Sequence, residues 1–231
     1  MKHSLFIITV LCAGNLIFVT PAFATEEKAP GTSHSPSEPT EANYTKAIEG
    51  RTANILKALA LNDTNEVARV HDIIMAQWRA LNAWHNENDA KLKAAKADTN
   101  AVVQIQESLK ELHRKFLGAL SEYLTPAQIE TVKDTMTYGV VEVTYQAYLE
   151  IIPNLTDTEK AKILELLKAG REEAMDGGSS HEKAVIMKRY KGKINLYLTR
   201  NGHDVAKAYK DWGARQKARA TATATNSVPA P

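Results

Sequence analysis

Two long stripes of apolar residues at spacings of three and four constrain this chain to a helical architecture. Val67, Val70, Ile74, Trp78, Leu81, His85, Asn88 and Leu92 share one helix face; Val102, Ile105, Leu109, Leu112, Phe116, Leu120 and Tyr123 share another. The residues between them, Ala94 to Asn100, form a short polar connection, so the pair predicts an antiparallel helical hairpin. Asp63 with Glu66 marks the start of the first helix. An earlier helix with Ile48, Ile55, Leu56 and Leu59 on one side is expected to pack against the hairpin.

Further along, Thr125-Pro126-Ala127-Gln128 is a compact start signal: Thr125 as cap, Pro126 at the first helical position and Gln128 able to reach back. That helix carries Ile129, Val132 and Met136 and stops at Gly139. Thr156-Asp157-Thr158-Glu159 repeats the device ahead of Ile163, Leu166 and Leu167, and Gly177-Gly178 ends the second helix. Two more helices follow, one with Ala184, Met187, Tyr190, Ile194 and Tyr197, the other with Val205, Ala208 and Trp212. Between Val140 and Ile152 two periods compete. Val141, Val143 and Tyr145 alternate as in a strand, while Tyr145, Tyr148, Leu149 and Ile152 have helical spacing, which predicts an extended start followed by a short helix ending before Pro153. The fold class is all-α, a multi-helix bundle built on a long hairpin with a short irregular segment around 139–153.

The ends read differently. Lys2 and His3 precede an apolar run from Leu5 to Val19, and Ala22-Phe23-Ala24 supplies the small-x-small pattern of a signal-peptidase site. Residues 1–24 are therefore expected to be a signal peptide cleaved after Ala24, delivering the chain to the periplasm or outside the cell. The run is too short and interrupted for a lasting membrane span. Residues 25–42 are rich in Pro, Ser, Thr and Glu and are expected to form a disordered leader; 43–217 a single helical domain; 218–231 a flexible tail. The one cysteine, Cys12, lies in the signal region, so disulfides, thiolate metal sites and cysteine nucleophiles are all excluded from the exported chain. Of 29 basic residues only Lys2 precedes Thr25, and all 27 acidic ones follow it, leaving a nearly neutral protein. That balance argues against nucleic acid as a partner.

Catalytic signals are sparse. His85 lies one turn before Asp89, a spacing at which a carboxylate orients an imidazole, and is equally read as a buried histidine satisfied by a hydrogen bond. There is no paired-histidine metal spacing, and no cofactor is implied. Ser179-Ser180-His181-Glu182 reads as a helix cap rather than a triad. Glu172, Glu173 and Asp176 could act as general acid and base, as carboxylates on many helix surfaces could. The aromatic inventory says more: only Phe116 of the four phenylalanines follows the signal region, against eight tyrosines and three tryptophans. Rings with a polar edge suit ligands that stack and hydrogen-bond at once, as sugars do. Tyr138, Tyr145 and Tyr148 cluster beside the interrupted segment, and a second polar group comprises Lys188, Tyr190, Lys191, Lys193, Asn195 and Tyr197.

Several strings carry a family resemblance: Trp78-Arg79-Ala80-Leu81-Asn82, Val132 through Gly139, Arg171-Glu172-Glu173-Ala174-Met175-Asp176 with Ser179-Ser180, and Tyr190-Lys191-Gly192-Lys193-Ile194-Asn195 with Tyr197. From about Tyr44 to Arg215 the chain resembles a family of secreted bacterial proteins classed as a domain of unknown function and labelled sugar-binding. The resemblance implies an exported helical protein linked to polysaccharide use, with an oligosaccharide or polysaccharide fragment as ligand, and it supplies no catalytic residues. The expected binding residues are Tyr138, Tyr145, Tyr148, Arg171, Lys191, Asn195, Trp78 and His85. The two Leu-Thr starts at 124 and 155 are also similar to the repeated motif of small periplasmic helical chaperones of the Spy type. That gives an alternative, a chaperone-like or helical interaction module with a protein partner. A third reading is a glycan-processing enzyme using Glu172, Glu173 or His85.

Overall fold

The computed structural model describes residues 41–226, with side chains to Thr221. The expected signal peptide, nearly all of the expected leader and the last five residues lie outside the described residues. Eight α-helices and one 3-10 turn make up the fold, with no strand among the described residues: α1 (Glu41–Leu59), α2 (Thr64–Ala94), the turn Ala95–Ala97, α3 (Thr99–Ser121), α4 (Pro126–Met136), α5 (Val140–Ile151), α6 (Asp157–Met175), α7 (Ser180–Arg200) and α8 (Val205–Asn226). The all-α expectation holds.

The caps explain where the helices begin. Asp63 accepts from the backbone of Asn65 and Glu66 at the head of α2, and Asp98 does the same for Asn100 and Ala101 at the head of α3. Thr125 with Gln128 and Thr156 with Glu159 form reciprocal boxes at α4 and α6, and Ser179 caps α7. The α2–α3 pair is tied partway along by Trp84 Nε1 donating to Ser108 Oγ at 2.8 Å.

Segment 140–152 departs from expectation. α5 begins at Val140 with no extended start, and its buried residues Val141, Thr144, Tyr148 and Ile151 keep helical spacing. The alternation of Val141, Val143 and Tyr145 does not reflect sheet burial, because Val143 is 46% exposed. Helical burial overrides the β-propensity of these residues. The irregular stretch shrinks to the turn 137–139, where Tyr138 and Gly139 both adopt left-handed backbone at φ 59° and 64°. α8 runs on to Asn226, so helix continues past Ala218, where the sequence placed a tail.

Burial is organised in two cores. One joins Ile48, Ile55, Val70, Ile74, Leu81, Phe116, Leu120, Val132 and Met136 from α1–α4. The other joins Val141, Tyr148, Ile151, Ile163, Leu167, Met187, Ile194 and Leu198 from α5–α7, with Val205 of α8. α6 belongs to both, since its last residue, Met175, is fully buried in the first core. Where α6 passes between them the helices meet through charged side chains, Arg171 and Glu172 of α6 among them.

Candidate functional site

Arg171 is 2% exposed at the α4–α6 junction. A guanidinium so buried needs acceptors. Its fork donates to Asp134 at 2.6 Å, Glu130 at 2.7 Å and Glu172 at 3.0 Å. Glu172 also receives Lys133 at 3.1 Å and His113 at 3.5 Å. Burial works against ionisation of Glu172, but His113, Lys133 and Arg171 outweigh it and hold the carboxyl down at about 2. His113 passes the network on to Asp176, 2.9 Å away, and these two carboxylates raise its imidazole to about 9.

Asp176, the residue that ends α6, links this network to α2. His85 Nε2 lies 2.7 Å from the Asp176 carbonyl and Nδ1 lies 3.0 Å from Asp89 Oδ1. Carbonyl and carboxylate oxygens only accept, so each ring nitrogen faces an acceptor and the geometry favours the doubly protonated imidazolium. Burial opposes that charge, but the Asp176 carbonyl, Asp89 and Glu182 raise its pKa. His85 is thus a positioned histidine fixing α2 to the α6–α7 turn, where a Cβ on Gly178 would sit 2.8 Å from its Cγ.

Beside this network a cleft of about 360 Å³ opens between α1, α2 and the α4–α5 turn, lined among others by Arg51, Asn54, Trp78, Asp134 and Tyr138. Trp78 is largely buried, and its carbonyl accepts from Tyr44 OH at 2.8 Å, which fixes α1 on α2. Two cations attend its ring: the Arg51 guanidinium carbon at 5.6 Å and Lys183 Nζ at 5.4 Å from the centroid. Lys183 also donates to the carbonyls of Met175 at 3.0 Å and Met136 at 3.5 Å, closing the C-terminal ends of α6 and α4. Burial pushes its ammonium down to about 8. Tyr138, held out by its left-handed backbone, is 47% exposed at the mouth.

The eight residues expected from sequence do not form one groove. Trp78 and Tyr138 share the cleft, and Arg171 stands behind it through Asp134. His85 belongs to the ionic network. Tyr148, Lys191 and Asn195 do meet, but inside the packing of α5 on α7: Tyr148 is 1% exposed and donates to Asn195 Oδ1 at 2.7 Å. Burial raises the Tyr148 pKa and lowers that of Lys191. Tyr145 is a partly buried neighbour of the same core. Arg51, Asn54, Asp134, His113 and Lys183 were missed. Only Arg51 left a readable trace, as an exposed cation three residues after Ile48 and four before Ile55, beside the buried stripe of α1.

A family model described as "Protein of unknown function (DUF3826)" matches residues 45–218, so the chain belongs to that family. No curated protein matches it.

Proposed function

We propose that this family member is a non-catalytic carbohydrate-binding protein acting outside the cytoplasm after export, and that the cleft between α1, α2 and the α4–α5 turn is its sugar site. The observation that carries the reading is the convergence of Trp78 and Tyr138, sixty residues apart in sequence, on one concave surface with Asn54 and Arg51. An exposed ring beside amide and guanidinium donors matches a pyranose, whose C–H face stacks while its hydroxyls hydrogen-bond. Tyr138 is the stacking platform, Asn54 and Arg51 the hydroxyl partners, and buried Trp78 the floor.

Glycan processing fits less well. Glu172 is ionised and surrounded by three cations, so it cannot serve as a general acid near neutral pH. Glu173 is paired with Arg189, and both nitrogens of His85 are engaged. Calorimetric titration with neutral and acidic oligosaccharides tests the proposal on the native protein and on Tyr138→Asn, a substitution that removes the ring yet tolerates left-handed backbone. Binding by the native protein and loss in the variant is the expected result; binding that survives in Tyr138→Asn would move the site elsewhere.

A further inference from the structure

The charge balance of the cleft points to a chemical class of sugar, an inference that rests on the sugar site proposed above. Among the described residues Arg51 pairs with no carboxylate, and its one contact of note is the Trp78 ring. Lys183, on the same ring, hydrogen-bonds only to carbonyls, and the carboxylates of Asp176 and Glu182 lie near enough to favour its charge. The single carboxylate in the lining, Asp134, is held by Arg171. One lining residue, Trp78, also buries its Nε1 donor without an acceptor. In the lining itself the one carboxylate is thus already engaged, while the Arg51 guanidinium has no carboxylate to answer it.

An exposed guanidinium that lines a concave surface and has no carboxylate partner is a ready seat for an anion. We infer that the cleft selects an anionic sugar, seating a uronic-acid carboxylate or a sulfate ester on the Arg51 guanidinium while the sugar ring lies against Tyr138. A planar fork recognises either oxyanion through paired N–H···O bonds, which a lysine at the same place cannot reproduce. Lys183 adds to the field from beneath the ring without touching the ligand. Burial is the main reason its ammonium is easily deprotonated; Asp176 and Glu182 oppose that loss, and the nearness of Arg51 adds to it.

The test is calorimetric titration of the full chain with trisaccharides of galacturonic and of glucuronic acid, each against its methyl ester, and with a sulfated trisaccharide against its desulfated form. Acetate and sulfate ions serve as sugar-free probes. The expected result is that at least one charged trisaccharide binds about tenfold or more tightly than its neutral counterpart. Which pair shows the difference distinguishes carboxylate from sulfate. Arg51→Gln should erase the preference, and Arg51→Lys should restore only part of it; Arg51 is exposed, so both variants should fold. Equal binding of charged and neutral forms, unchanged in Arg51→Gln but lost in Tyr138→Asn, would overturn the anionic preference and leave the sugar site standing. Free acetate or sulfate binding as tightly as the trisaccharides would overturn it in favour of a plain anion site. No binding of any probe would overturn both this inference and the sugar site.

Discussion

Arg171 on α6 grips Asp134 on α4 at 2.6 Å, and that bond, with Glu130 held by the same guanidinium, ties the wall of the cleft to the helix that runs through both cores. Arg171→Met should therefore destabilise the protein by about 3 kcal/mol, since it leaves three carboxylates without their shared cation. The carboxylates are partly exposed and can rehydrate, which keeps the loss at the low end for a buried pair. Asp134→Asn should cost about 1 kcal/mol, because Glu130 and Glu172 remain. Urea unfolding of the two variants checks the order.

Stability should fall as pH rises from about 6.5 to about 9. His113 has a folded pKa of about 9, raised first by Asp176 and then by Glu172. The native state therefore holds a proton that the unfolded chain releases above about 6.5, and the stabilisation is complete below that pH and gone above 9. The size should be on the order of 2 kcal/mol. His113→Gln should flatten this part of the profile. Lys183 acts oppositely at higher pH: its folded pKa of about 8 lies below the unfolded value, so its unfavourable contribution lessens between about 8 and 10.5. Below about 4.5, protonation of Glu172 removes stability as pH falls toward 2. Melting temperature against pH, with His113→Gln as control, shows whether the decline above 6.5 belongs to this residue.

Gly178→Ala should destabilise by about 1–3 kcal/mol, by overpacking. The added methyl would meet the His85 ring at 2.8 Å, and that ring cannot swing aside without losing the Asp176 carbonyl and Asp89. In the double variant His85→Ala with Gly178→Ala the second substitution should cost far less than it does alone. A double-mutant cycle by chemical denaturation measures this coupling.

The helices were largely legible in the sequence because their signals are local: the stripe of Val70, Ile74, Trp78 and Leu81, and the boxes Thr125 with Gln128 and Thr156 with Glu159. Segment 140–152 misled because β-branched and aromatic residues (Val141, Val143, Tyr145) alternate there by accident, and only the core decides which face of α5 is buried. The site was legible in part. Trp78 and Tyr138 were chosen as polar-edged rings, and they share a cleft. Tyr148 stands out on the same ground and Lys191 and Asn195 as polar groups, yet the Tyr148 hydroxyl is satisfied inside the fold by Asn195 Oδ1 and the Lys191 carbonyl. Arg171 was read as a ligand group, whereas its three carboxylates come from α4 and its own helix, a pairing set by how α6 crosses α4. Such pairings depend on tertiary geometry and leave no mark on a single helix.

Tyr138→Gly should melt within a few degrees of the native protein. Removing the ring forfeits side-chain contact, while glycine relieves a left-handed backbone that costs a tyrosine about 1 kcal/mol or more. Thermal denaturation followed by circular dichroism checks this and establishes that variants at this position are folded.

The central claim, that the cleft binds sugar, is tested most directly by the melting temperature of the native protein, Asn54→Ala and Tyr138→Asn across a broad glycan panel. A ligand that binds only the folded state at about a hundred times its Kd adds about 2.7 kcal/mol, a shift of several degrees for a chain of this size. The account predicts such a shift with one class of glycan in the native protein, reduced in Asn54→Ala and absent in Tyr138→Asn. No shift with any glycan, or an equal shift in all three proteins, would contradict it.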